Sequence, residues 1–215
     1  MVMNQIPSIV CCYRTGGVYK AEHIAALYSQ VLKNTTIDCE FVCYTDDPDS
    51  LDHLDSITVI RLEKDYPGWW SCVELWKHQG PSIIVGLDTL FLGNIDHILE
   101  FACDVSPNEF FLLASFWHLG QVINGMQIWN GDWSWLYKNF DFEKASAEYR
   151  GDENYQIQSL LNRGVTIGTI QDKVLGVYSY RDHYLRGKAR DPRVMIFYGK
   201  HKPWNDRKLW RLANK

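Results

Sequence analysis

No apolar run in the sequence approaches the ~20 residues needed to span a bilayer, and the N-terminus lacks the basic region, apolar core and small-residue cleavage site of a secretory leader. Those absences make a soluble, cytoplasmic protein with no membrane span the expectation. Cysteine is present but without metal or disulfide spacing. Cys11, Cys12, Cys39, Cys43, Cys72 and Cys103 lie mostly in apolar, strand-like runs, and no second ligand pair follows Cys39 and Cys43. They read as reduced core residues, which excludes a zinc module or a disulfide framework. Internal repeats and low-complexity linkers are missing as well. With 215 residues and 46% hydrophobic content, the chain has material for one sizeable core and little room for two, so a single domain is expected.

A strong net charge is also lacking, but the formal −4 hides an asymmetry. From Arg181 to the end there are 11 Lys and Arg against 3 Asp and Glu, a balance of +8, and the preceding body carries −12. Segment 181–215 is therefore a cationic stretch on an acidic body, suited either to solvation or to phosphates.

What is present is organised around residues 82–90, a short β-branched run that ends by presenting one carboxylate, Asp88. Bounded by Gly80 and Pro81 on one side and Gly93 and Asn94 on the other, it reads as a strand buried on both faces. Ligands in open α/β sheets sit at the carboxyl ends of such strands. Asp88 either points into a site or caps the turn towards Ile95 and Asp96. Upstream, residues 8–13 read as a strand, 14–19 as a loop carrying Gly16 and Gly17, and 21–33 as a helix with Ile24, Leu27, Tyr28, Val31 and Leu32 at helical spacing. Strands over 39–45 and 56–62 and a helix over 70–78 follow. Strand and helix alternate, so the expected class is α/β, with a mostly parallel central sheet and helices on both faces.

Beyond Asp88 the pattern gives a short helix over 96–101, a strand over 110–114, and an aromatic-rich middle with Trp117, Trp129, Trp133, Trp135 and Tyr137. There 120–129 reads as a strand and 133–140 as a helix. A helix over 152–161 and extended segments over 165–170 and 174–180 complete the pattern. Aromatics at this density serve either a core or a platform for sugar and base faces.

Several stretches together resemble the GT-A glycosyltransferases, in particular family-8 (glycogenin-like) bacterial and viral members. They are the loop from Tyr13 to Tyr19, the strand end from Phe41 to Asp46, the segment from Tyr66 to Ser71, Gly86-Leu87-Asp88-Thr89, the segment from Asn124 to Trp129, Asp152-Glu153, and Gly199-Lys200-His201-Lys202-Pro203-Trp204. The resemblance implies a single GT-A-like (Rossmann-like) domain and a glycosyltransferase of hexosyltransferase type acting on a nucleotide-sugar donor, a UDP-sugar first of all. It places the donor at Tyr13, Arg14, Gly16, Thr45, Asp46, Trp70, Asp88, Lys200, Lys202 and Trp204. A diphosphate needs opposing positive charge, which Lys200 and Lys202 supply from a loop that Pro203 stiffens; the same Lys-Pro-Trp run equally serves to pack the C-terminus.

Three positions depart from the family pattern. Its metal motif is Asp-x-Asp, and Gly86 stands at the first position, leaving Asp88 as the one metal ligand. The His that precedes the Gly of the C-terminal motif is replaced by Tyr198, with Ile196 at the family's other spacing. Cys72 stands where relatives often carry Lys. One carboxylate, two phosphate oxygens and waters still suffice for weak binding of a divalent cation, magnesium or manganese, so the cofactor is expected to be weakened.

For the acceptor, glycosyl transfer needs an activated hydroxyl or a shielded opposite face. The acidic candidates are Asp152 and Glu153, with Glu153 where the family usually has Gln; as helix-start residues they equally suit the helix dipole. Asn124 is a further candidate, although an ungapped match puts Ile123 at the family's usual Asn. Arg186 and Lys188 in the basic segment, among aromatic neighbours, suit a polyanionic acceptor. The acceptor is expected to be a saccharide or another hydroxyl compound, with a modified base in nucleic acid as an alternative. Nucleotide-sugar binding without turnover is the reading outside catalysis.

Overall fold

Alternating burial along the first strand sets the layering. In the computed structural model, which describes residues 5–215, Ile9, Cys11 and Tyr13 of β1 (Ser8–Tyr13) join one buried cluster, and Val10 joins another on the opposite face. The first cluster receives Ile24, Leu27 and Val31 from α1 (Ala21–Asn34), whose i, i+3, i+7 spacing puts them on one helical face. β2 (Glu40–Thr45) repeats the alternation, Phe41 and Cys43 on one side and Val42 and Tyr44 on the other. β3 (Thr58–Arg61) follows, and then 3-10 turns over Gly68–Lys77 place Trp70, Val73 and Trp76 under the second face.

β4 (Ser82–Val85) is buried throughout and is succeeded by β5 (Thr89–Phe91), α2 (Asp96–Asp104), β6 (Glu109–Ala114) and β7 (Val122–Trp129). Three helices then cover the second face: α3 (Trp135–Lys138), α4 (Phe142–Glu148) and α5 (Asp152–Asn162). β8 (Thr166–Thr169), β9 (Val177–Ser179), β10 (Val194–Ile196) and α6 (Arg207–Ala213) end the chain. The seven-stranded sheet has the order β3-β2-β1-β4-β7-β6-β8, parallel except where β7 pairs with β4 and β6. A second sheet, β5-β10-β9, buries Leu90, Met195 and Phe197 against Leu209 and Ala213 of α6. The expected α/β class, with a mostly parallel sheet covered on both faces, is the one observed, and no helix among the described residues is long and apolar enough to cross a membrane.

Four local expectations need correction. Residues 82–90 are not one strand: Thr89 N–H closes a turn on Gly86 O at 3.1 Å, and the chain passes from the large sheet into the small one at Leu87 and Asp88. Residues 70–78 form 3-10 turns rather than an α-helix; Ser71 Oγ donates to Gly68 O at 2.8 Å, and the Glu74 carboxylate accepts from the backbone of Glu63 and Lys64. Gly120, with φ of +78°, belongs to the β6–β7 hairpin loop, so the strand begins at Val122. Part of the cationic segment is structural, because β10 and α6 are built from it.

Candidate functional site

A cleft of about 560 Å³ opens where β1 and β4 end, lined by Cys12, Arg14, Thr15, Gly16, Tyr19, Trp69, Cys72, Gly86, Leu87 and Lys202, among others. The carboxyl ends of parallel strands leave such a crevice, because the following loops turn away to opposite faces. Gly16 (φ +83°) and Gly68 (φ +56°) make the two turns that frame it, in the left-handed region that other residues seldom enter.

Asp88 lies at the seam between the two sheets, fixed by Phe197 N–H donating to its carbonyl at 3.0 Å. Its Oδ2 accepts from Lys202 Nζ at 2.7 Å and from Tyr19 OH at 3.0 Å, while Lys202 Nζ also donates to Tyr19 OH at 2.9 Å. Both charged side chains are 17% exposed. Burial first, then the Asp88 charge, pushes the Tyr19 phenol well above its ordinary range, so it stays a proton donor.

The rim beside β1 is pinned by Asp46, whose Oδ1 accepts from Thr15 N–H at 2.9 Å and whose Oδ2 accepts from Thr15 Oγ1 at 2.7 Å. Arg14 pairs with Asp65 and lies 4.0 Å from Asp46. Thr45 is buried and accepts from Asp47 N–H, supporting the rim rather than facing a ligand.

Four expected donor contacts sit elsewhere. Tyr13 is buried in the core with β1's inward residues, and Trp70 packs against Phe140 and Phe142. The ring in the cleft is the neighbouring Trp69, 64% exposed, whose Nε1 lies against Gly151. Sequence alone did not separate the two tryptophans, because adjacent residues after Gly68 carry no periodicity yet. Trp204 stacks on His23 at 3.9 Å and anchors the C-terminal segment to α1, and Lys200 is exposed and does not line the cleft.

A second group forms on the α5 side. A bulge in the β6–β7 ladder, where pairing steps from Leu112 with Gln127 to Leu113 with Ile123, releases Asn124. Asn124 Nδ2 donates to Asp152 Oδ2 at 2.9 Å, and Asn124 N–H donates to Glu153 Oε2 at 2.9 Å. Ile123 is buried in the core. Burial raises the Asp152 carboxyl to about 7, with the Asn124 hydrogen bond opposing it and the Glu153 charge adding to it. Trp69, between the cleft and Gly151 at the start of α5, connects this group to the cleft. Cys72 faces Cys12 in the cleft wall and is near enough to feel the Asp152 charge. Arg186 and Lys188 are exposed and away from the cleft lining; Arg186 lies 3.5 Å from Asp182.

The residues present do not fit a divalent cation. Among the described residues no three His, Cys, Asp or Glu side chains converge as a metal site. The single carboxylate at the expected place already accepts from an ammonium and a phenol, and Gly86 offers no ligand. His201 packs near Tyr180, and Tyr198 OH accepts from Ser179 Oγ at 3.2 Å.

No protein-family profile and no curated protein matches the sequence. Solved structures do match the fold. The glycosyltransferase GlyE of Streptococcus pneumoniae TIGR4 superposes with a TM-score of 0.66 at 12% identity, over 99% of this chain and 61% of that one. The galactosyltransferase LgtC, solved with donor and acceptor sugar analogues, gives 0.61 at 12% identity over 96% and 95% of the two chains. WbbM, a bifunctional glycosyltransferase in its apo form, gives 0.59 at 9% identity over 99% and 50%. The chain thus spans about three-fifths of GlyE's length, and it shares with all three the GT-A-like, Rossmann-related fold.

Proposed function

We propose that the protein is a glycosyltransferase that moves a sugar from a nucleoside-diphosphate sugar, a UDP-sugar first of all, to an acceptor hydroxyl. The observation that carries the reading is a strand-end cleft that Lys202 lines, where a leaving diphosphate needs charge. Beyond the Trp69 ring, which lies between the cleft and Gly151, the carboxylate pair Asp152 and Glu153 is organised by Asn124. A carboxyl that titrates near neutrality suits acceptance of the acceptor's hydroxyl proton, a contribution of roughly 10²–10⁴ in rate. Arg14 and Gly16 line the donor end, with Asp46 holding that loop in place through Thr15 and Thr45 bracing the turn after Asp46.

The exposed ring of Trp69 in the cleft favours a saccharide-type acceptor, since an indole face stacks on the apolar face of a pyranose. Binding of a nucleotide sugar without turnover is the competing reading. Incubation with UDP-glucose, UDP-galactose, UDP-N-acetylglucosamine and GDP-mannose, each with mono- and disaccharide acceptors, separates the two. Transfer or donor hydrolysis that is lost in Asp152→Asn with Glu153→Gln supports the proposal. Donor binding with no product from any pair would leave the binding protein.

A further inference from the structure

We infer that Lys202 is the resident cation of the donor site, taking on the leaving diphosphate the part that a divalent metal otherwise plays, with Asp88 and Tyr19 as its positioning residues. The inference rests on the glycosyl-transfer reading and deepens it. An ammonium has three donors and no acceptor. Two of the three on Lys202 are spent on Asp88 Oδ2 and Tyr19 OH, which leaves one for a phosphate oxygen in the cleft that Lys202 lines.

The stem of Lys202 is held from behind. Pro203 is buried, Asn205 N–H donates to Lys202 O at 3.0 Å, and Trp204 lies nearly parallel to the His23 ring, 14° apart. The ammonium also sits 4.9 Å from the centroid of the Tyr19 ring. A charge fixed this way needs little reorganisation when the leaving group develops its own. Position 86 is matched to the arrangement: a Cβ there would come within 2.8 Å of Asp88 Oδ1, so a second carboxylate would crowd Asp88 away from its present contacts. Asp88 is then not a metal ligand but the group that orients Lys202. In the transfer step the bond from the anomeric carbon to the diphosphate oxygen breaks, and its electron pair goes to the diphosphate beside Lys202. The acceptor oxygen forms the new bond and gives its proton to the Asp152 and Glu153 pair.

The test is calorimetric titration of the whole protein with UDP, GDP, CDP and ADP, in millimolar EDTA and again in millimolar manganese. The bound diphosphate should show the same Kd in both buffers to within about twofold, and Lys202→Met should weaken it about tenfold or more. Asp88→Asn should leave that Kd within about threefold while kcat falls, because it removes orientation and not the cation. Manganese tightening wild-type binding by about tenfold, or Lys202→Met binding as the wild type does while folded by circular dichroism, would overturn the inference and leave the donor reading intact. Loss of binding in Asp88→Asn equal to that in Lys202→Met would also overturn it, by making Asp88 the ligand. If no diphosphate binds the wild type in either buffer, the donor reading fails, and this one with it.

Discussion

The side-chain amide of Asn124 donates to Asp152 Oδ2 at 2.9 Å, across 28 residues of sequence, and Asn124 can do so because it sits in the β6–β7 bulge. The same residue's backbone N–H holds Glu153. One turn of irregular strand thereby fixes both carboxylates at the start of α5. Asn124→Ala keeps the backbone contact and removes the amide. Because that amide opposes the upward pull of burial on Asp152, the variant should lose roughly 10–100-fold in kcat, and its pH–rate profile should move to higher pH. A profile that keeps its midpoint would show that the amide does not tune the pair.

The Asp152 carboxyl, raised to about 7 from an ordinary 3.8, ties stability to pH, and the proposed proton-accepting role predicts that activity follows pH in the opposite direction. Between those values the folded protein keeps a proton that the unfolded chain has lost. The stability it contributes is full below the unfolded value and is lost as pH rises through about 7. Activity that needs the ionised pair should instead rise through the same window. Asp152→Asn should be inactive, yet more stable than the wild type at pH 8 by on the order of 2–4 kcal/mol, with the difference vanishing near pH 4. Urea unfolding at the two pH values checks the sign.

Adjacent tryptophans should fail in different ways. Trp70→Ala empties a buried site between Phe140 and Phe142 and should cost about 3–5 kcal/mol of stability. Trp69→Ala should leave the melting temperature almost unchanged and raise the acceptor KM, which steady-state kinetics beside thermal melts would resolve.

Glu74 is fully buried and accepts from Glu63 N–H at 3.0 Å, Lys64 N–H at 2.9 Å and Lys77 Nζ at 2.5 Å. Glu74→Gln turns one acceptor into a donor facing other donors and leaves Lys77 without its inner partner. A loss of about 3 kcal/mol is expected in denaturant unfolding. A neutral result would mean that the loop relaxes freely.

Arg186, Lys188 and Arg190 are exposed and lie outside the cleft lining. Their triple replacement by Gln should leave diphosphate affinity within about twofold of the wild type. If nucleic acid is the acceptor, log affinity for single-stranded or duplex DNA should fall linearly with log salt, and the triple variant should flatten that slope. Affinity that ignores salt, or no binding in low salt, would leave a small saccharide as the acceptor class.

Much of the fold was legible in the sequence because it is written in local periods. The inward and outward alternation in 8–13 and 39–45, and the i, i+3, i+7 face of 21–33, set layer and direction without reference to distant residues. The same locality made Asp88 and the pair Asp152 and Glu153 visible as carboxylates at element ends. Only the tertiary structure decided that the apolar run 82–90 splits between two sheets, since its second half finds β10 and its first half β1 and β7. It also decided which of Trp69 and Trp70 turns to the cleft, because that depends on the pitch of 3-10 turns held by Ser71 and Glu74. Above all it brought Lys202 onto Asp88 from 114 residues away. No periodicity encodes such a pairing: it follows from α6 docking on the small sheet and Trp204 on α1, a burial of apolar surface that carries the charged side chain with it.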